Sequence, residues 1–220
     1  MTETRLTLWG VPVNALSKNE ALALLPRVRM IFTPNPEILL KARASEYYRK
    51  VLSHADLSLP DGHGLQLVTT LEGFPILLRI LFLLPAYVLF LTWKNLFKRV
   101  IPELIHGSDF MLEVVDYAHR NELSVFFLGA APGVADSCAK VFQRKFPGLK
   151  VAGSTSLDPG EAAYEAVKQS KADVVFVAYG APKQEEWIVK YEKKLAKVKL
   201  FMAVGGSFDF WSGHVARAPQ

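Results

Sequence analysis

Along most of the chain, short apolar runs alternate with stretches whose apolar residues recur every three to four positions. The runs Leu6–Trp9, Met30–Thr33, Asp56–Leu59, Ser124–Leu128, Leu149–Ala152, Asp173–Ala178 and Leu200–Val204 are short and bounded by turn residues, as buried strands are. The amphipathic stretches predict helices that begin at Ser17, Pro36, Ser45, Gly62, Ser108, Pro132, Gly160 and Pro182, several of them at a capping residue or an early proline. Strand and helix in alternation predict an α/β fold: a mainly parallel sheet with flanking helices, Rossmann-like in its layering.

One segment breaks the pattern. From Gly73 to Trp93 the only charged residue is Arg79, and the run FPILLRILFLLPAYVLFLT within it is 19 residues long, close to the ~20 of a membrane helix. Pro85 divides the run, and Lys94, Lys98 and Arg99 follow it directly. We read the 220 residues as a single domain, 1–220, carrying an apolar helical insertion at about 73–100.

Composition adds three restrictions. Half of the residues are hydrophobic, too many for a disordered chain, and the N-terminus MTETRLTLWG has no apolar signal core. The one cysteine, Cys138, cannot bridge internally, and no Cys/His cluster has zinc spacing, so a reducing compartment fits and no metal site is expected. The net charge of +5 suits an anionic partner without choosing among a nucleotide, a nucleic acid and a lipid headgroup.

The turns after predicted strands carry the candidate chemistry, because open α/β sheets bind ligands at their strand C-termini. In LGAAPGV, Gly129, Pro132 and Gly133 lie where a strand hands over to a helix whose exposed N–H groups could receive a phosphate, although taken alone the motif reads first as a plain tight turn. YGAPKQEEW repeats this, with Gly180 and Pro182 at the turn and Lys183 and Gln184 placed to face a ligand, while Glu185 and Glu186 suit the positive helix end. In LPDGHG, Asp61 either caps the helix that begins at Gly62 or acts as a general base, and His63 is an acid, a base or a surface residue. In TPNPE, Thr33 and Asn35 can bind a sugar or satisfy their own turn. In the tail GGSFDFWSGHVARAPQ, Asp209 caps a turn or touches a ligand beside Gly205 and Gly206, Phe208, Phe210 and Trp211 read as core, and basic Arg217 follows.

Taken in order, TPNPE, ADLSLPDGHGL, FFLGAAPGVA with FPGLKV, VAYGAPKQEEWI, AVGGSFDFWSG and RAP resemble the WecG/TagA/CpsF family of bacterial glycosyltransferases, over about Gly10 to Pro219. The resemblance implies inverting transfer of an N-acetylmannosamine-type hexose from a UDP donor to a polyprenyl-diphosphate-linked sugar, at the cytoplasmic face of the bacterial plasma membrane, in cell-surface polysaccharide or teichoic acid synthesis. It implies Asp61 as catalytic base, Thr33 and Asn35 in the same pocket, and Gln184 in the nucleotide-sugar site; Gly62, Gly206 and Asp209 are read as further substrate-binding positions. It implies no resident cofactor or metal, no nucleic-acid partner, and leaves room for a homo-oligomer. Two departures stand out: Leu104 occupies the place of an expected arginine in PELIHG, and the sequence ends at RAPQ where relatives continue into a basic tail, which reads either as a fragment or as a chain in which that tail is absent.

The apolar run lies in the stretch between Asp61 and Gly107, which is longer than the family pattern. A single membrane pass would put motifs of one site on opposite sides of the bilayer. An interfacial or re-entrant hairpin, with Arg79, Lys94, Lys98 and Arg99 at phospholipid headgroups, keeps the protein peripheral or monotopic, and a buried or oligomer-forming helix pair is the remaining reading. Two rival functions stay in view: a non-catalytic nucleotide- or lipid-binding scaffold, and a nucleotide-sugar epimerase or dehydrogenase, which the missing GxGxxG after the first strand argues against.

Overall fold

The computed structural model describes residues 5–62, 65 and 100–215. His63, the apolar run of residues 74–92, Arg79, Lys94, Lys98, Arg99 and Arg217 lie outside the described residues.

The first elements form a hairpin, β1 (Arg5–Leu8) and β2 (Val11–Asn14), paired antiparallel through a turn in which Trp9 and Gly10 both have positive φ. The sequence pattern predicts only the first of these strands. The second is interrupted by Pro12, which a two-stranded edge tolerates. Helix α1 (Lys18–Leu24) follows with a reciprocal cap between Ser17 and Glu20.

The main sheet has six parallel strands in the order β4-β3-β8-β7-β5-β6. They are β3 (Met30–Phe32), β4 (Leu57–Ser58), β5 (Val125–Gly129), β6 (Val151–Thr155), β7 (Val174–Ala178) and β8 (Leu200–Ala203). Between them run α2 (Pro36–Ala44), α3 (Glu46–Leu52), α4 (Gly107–Arg120), α5 (Val134–Lys145), α6 (Glu161–Ser170) and α7 (Lys183–Tyr191), and α8 (Ser207–Ser212) follows β8. The helices expected from Pro132 and Pro182 start later, at Val134 and Lys183, with Gly133 and Pro182 as caps. The strand expected at Leu149–Ala152 is displaced to Val151–Thr155, where it pairs with β5 around a register shift. Helix α8 is absent from the sequence reading, because six residues rich in aromatics carry no clear helical period.

Period-two alternation divides the core between the two faces of the sheet. Met30, Phe32, Phe126, Leu128, Val175, Val177 and Phe201 face one layer, with α2, α3, α6 and α7. Ile31, Val125, Phe127, Val174, Phe176 and Met202 face the other, with α1, α4, α5 and α8. Phe127 anchors that second layer, its ring centroid 5.6 Å from Phe176 and from Phe208 and 5.9 Å from Phe142. Cys138 is buried in the same layer, and burial pushes its thiol up to about 12, which leaves it a packing residue rather than a nucleophile. Of the tail aromatics expected in the core, Phe208 is fully buried but Phe210 is exposed.

Carboxylates at the N-terminal edge of the sheet are consumed by the fold. Asp56 Oδ2 accepts from the N–H groups of Arg29 and Met30, and Asp173 Oδ2 accepts from the N–H and hydroxyl of Ser124. The candidate motifs all lie at the opposite, C-terminal edge.

Candidate functional site

The strand order reverses direction at two places. From β3 the chain moves outward to β4 while β8 flanks β3 on its other side, and from β5 it moves outward to β6 while β7 flanks β5 on its other side. Each reversal makes adjacent loops diverge and opens a crevice beyond the strand C-termini. Three strand spacings separate β3 from β5, ~14 Å at ~4.8 Å each, a gap that a nucleoside diphosphate with its sugar can bridge.

Asp61 stands at the β3/β8 crevice. Its backbone N–H donates to Pro34 O, which ties the loop after β4 to the loop after β3. Its carboxylate reaches across to the start of α4: Oδ2 accepts from Gly107 N at 2.9 Å, and Oδ1 lies 3.0 Å from His106 Nδ1. Asp61 thus caps α4, while the helix expected from Gly62 lies largely outside the described residues. The side chains keep 27% (Asp61) and 33% (His106) of their surface exposed, so the pair faces the crevice and is not sealed in the core. Gly107 is required by the close approach: a Cβ there would sit 2.8 Å from Thr33 Oγ1 and 3.4 Å from Asp61 Oδ2. Thr33, Asp61, His106 and Gly107 thus form one cluster, with Gly62 beside Pro36 at its edge. Asn35 serves its own turn, Oδ1 capping α2 through Ile38 N at 2.9 Å. Leu104, in the place of the expected arginine, is half-buried. His106 was legible only as a polar residue ahead of a helix-opening Gly-Ser-Asp, and the sequence reading passes over it.

Gln184 requires a correction. The sequence pattern has it facing a ligand, but it is 3% exposed and both ends of its amide are engaged: Oε1 accepts from Gly205 N at 2.9 Å and Nε2 donates to Glu185 Oε1 at 2.8 Å. It therefore ties the loop after β7 to the Gly205–Gly206 loop of the first crevice. Behind it Tyr48 of α3 donates its hydroxyl to Glu185 Oε2 at 3.1 Å. Burial pushes the Glu185 carboxyl up to about 7, against the opposing pull of the bonds from Gln184 and Tyr48. The folded protein therefore holds a proton at Glu185 that the unfolded chain, with an ordinary glutamate, releases near pH 4.5. The unfolded state binds fewer protons across that window, so stability is expected to fall by about 3 kcal/mol as pH rises from about 4.5 to about 7. Urea titrations of the wild type and Glu185→Gln across this range check it: the wild-type midpoint falls with pH more steeply than that of the variant.

The β5/β7 crevice is lined by backbone. Gly129 has φ +100°, and a Cβ there would meet Tyr179 Cδ1 at 2.9 Å and the Ala178 carbonyl at 3.0 Å. The next residue, Ala130, donates its N–H to Ala178 O at 2.9 Å, which draws the two loops together. Gly133 and Gly180 also have positive φ, but with open space in front of them, and Pro132 is exposed beside Gly133. Among the described residues neither α5 nor α7 has a side-chain cap; Val134 N and Gln184 N donate to Ala131 O and Gly180 O, and Lys183 is exposed at the start of α7 at this edge. Gly206 caps α8, and Asp209 lies in its first turn, half-buried.

The sequence profile of the glycosyl transferase WecG/TagA/CpsF family matches this chain over residues 6–83 and 82–220. The chain belongs to the WecG/TagA/CpsF family. The two matched stretches meet inside the apolar run. Among WecG/TagA/CpsF relatives, an N-acetylglucosaminyldiphosphoundecaprenol N-acetyl-beta-D-mannosaminyltransferase of Bacillus spizizenii is 36% identical over 193 residues, 86% of this chain and 65% of the relative. A Staphylococcus aureus (strain MRSA252) protein of the same name is 29% identical over 192 residues, with the same coverage. The chain thus spans just under two thirds of the length of these curated relatives. Of the motifs that resemble the WecG/TagA/CpsF pattern, TPNPE, LGAAPGV, YGAPKQEEW and the Gly205–Gly206 turn lie along the C-terminal edge of the sheet, with Asp61 beside them.

Proposed function

We propose that this chain is an inverting glycosyltransferase that moves an N-acetylmannosamine-type sugar from a UDP donor to a polyprenyl-diphosphate-linked acceptor sugar; the names of its relatives give the N-acetylmannosaminyl group and the lipid-linked acceptor for those proteins. The observation that carries the reading is Asp61, a part-exposed carboxylate clamped at the β3/β8 crevice by Gly107 N and His106. An ionised carboxylate offers about four lone-pair sites, and these two contacts leave the others for an incoming hydroxyl. In this reading Asp61 takes the proton of the acceptor hydroxyl as its oxygen attacks the anomeric carbon, and the bond to UDP breaks on the opposite face, which inverts the centre. The electron pair leaves with the UDP phosphate, where the N–H groups of Gly133 and Lys183 and the Lys183 ammonium meet the charge. Thr33 hydrogen-bonds the sugar beside Asp61, and Gln184 supports the Gly205–Gly206 loop from behind. No resident metal or cofactor is invoked.

A lipid-linked acceptor puts the crevice at a membrane surface, and we place the protein peripherally at the cytoplasmic face. Among the described residues no helix is long and apolar enough to cross a membrane. The test is UDP release by the full chain from UDP-N-acetylmannosamine, with and without a lipid-linked N-acetylglucosamine diphosphate. Acceptor-dependent release is expected. UDP binding without release would leave a scaffold, and a requirement for NAD would favour an epimerase.

A further inference from the structure

We infer that His106 is a positioning residue for the proposed base, holding the Asp61 carboxylate in one rotational setting through its Nδ1–H; the inference rests on the transferase reading above. An ionised carboxylate has no proton to share, so the 3.0 Å contact between Asp61 Oδ1 and His106 Nδ1 places the proton on the ring nitrogen. The second oxygen is held separately, by Gly107 N at 2.9 Å. One bond alone leaves a carboxylate free to swing about its terminal torsion, which is soft. Two bonds to different oxygens, both from consecutive residues of one backbone, remove that freedom.

The donor itself is rigidly mounted. His106 is the cap residue of α4, and its carbonyl accepts from Asp109 N at 3.0 Å and Phe110 N at 2.9 Å. Helix α4 is 14 residues long and seats Phe110, Met111, Val114 and Val115 fully in the core. The setting of the carboxylate is thereby referred to the body of the fold. A base has to meet the hydroxyl within hydrogen-bond reach and along a lone-pair direction, and misplacement by ~1 Å costs as much as ~100-fold in rate. A positioning role of this kind acts on turnover and leaves donor binding alone, because the donor's diphosphate is met at the other crevice.

Two variants of the full chain test it, His106→Leu and His106→Asn. Leucine fills the space without a donor, whereas the asparagine amide nitrogen occupies nearly the place of Nδ1 and carries an N–H. Expected for His106→Leu are a kcat for UDP release lowered ~10- to 100-fold and an unchanged KM for the UDP-sugar, with most of the lost kcat recovered in His106→Asn. An active wild type with a fully active His106→Leu overturns the positioning role, as does His106→Asn as slow as His106→Leu, or a raised KM at constant kcat. A wild type that releases no UDP overturns the transferase reading itself, and with it any role of His106 in that reaction.

Discussion

Asp61→Asn is expected to lower kcat for sugar transfer by ~10²- to 10⁴-fold, the usual contribution of a general base, while UDP affinity and thermal stability stay near those of the wild type. The substitution is isosteric, and the amide oxygen can still accept from Gly107 N, so the cap on α4 survives. The amide nitrogen then faces His106 Nδ1, and the ring can present an unprotonated nitrogen to it by changing tautomer. What is lost is the ability to carry a proton away from the acceptor hydroxyl. Steady-state UDP release together with calorimetric UDP titration separates the two effects. Turnover at the wild-type rate would remove Asp61 from the chemistry and leave it a helix cap.

The second large effect is on the fold. Gly129→Ala is expected to destabilise the protein by about 4 kcal/mol, from a strained positive φ and an added methyl pressed on a neighbouring strand. The new Cβ would lie 2.9 Å from Tyr179 Cδ1 and 3.0 Å from the Ala178 backbone, neither of which can withdraw: Tyr179 donates its hydroxyl to Leu157 O, and Ala178 is in β7. Gly133→Ala is the control, because its φ is also positive but nothing lies within 4 Å of the added carbon. It should cost only the backbone strain, ~1–2 kcal/mol. Urea midpoints for the pair measure the difference, and equal losses would refute the close approach of β5 and β7.

The sheet was legible because its strands are buried on both faces and read as uninterrupted apolar runs, VFFLG and VVFVA above all. The C-terminal edge was legible for a related reason: turns there need glycine, proline and short polar side chains, so Thr33, Asp61, Gly129 and Gly180 stand out against the apolar runs. Contacts across the sequence were not legible. His106 meets Asp61 only because the loop after β4 is carried to the start of α4. Nothing in KQEEW distinguishes a glutamate that tops a helix from one buried against Tyr48, since both satisfy the helix dipole locally. Gln184 misled for the same reason. Its place in the first turn of α7 predicts the edge of the sheet correctly, but the inward turn of the side chain is set by Gly205, in the loop after β8.

The bond between Asp61 and Gly107 joins residues 46 apart in the chain across 2.9 Å. It therefore closes a large ring, and the entropy of closing a ring rises only logarithmically with its length, by about 0.6 kcal/mol for each doubling. Shortening that ring by the apolar run, residues 74–92, would change the closure by about 0.5 kcal/mol. The stability of the clamp is thus nearly indifferent to how much chain intervenes, so this is a point where a lineage can gain or lose a segment without retuning the base. Whatever keeps the apolar run in this protein must act outside the energetics of the clamp.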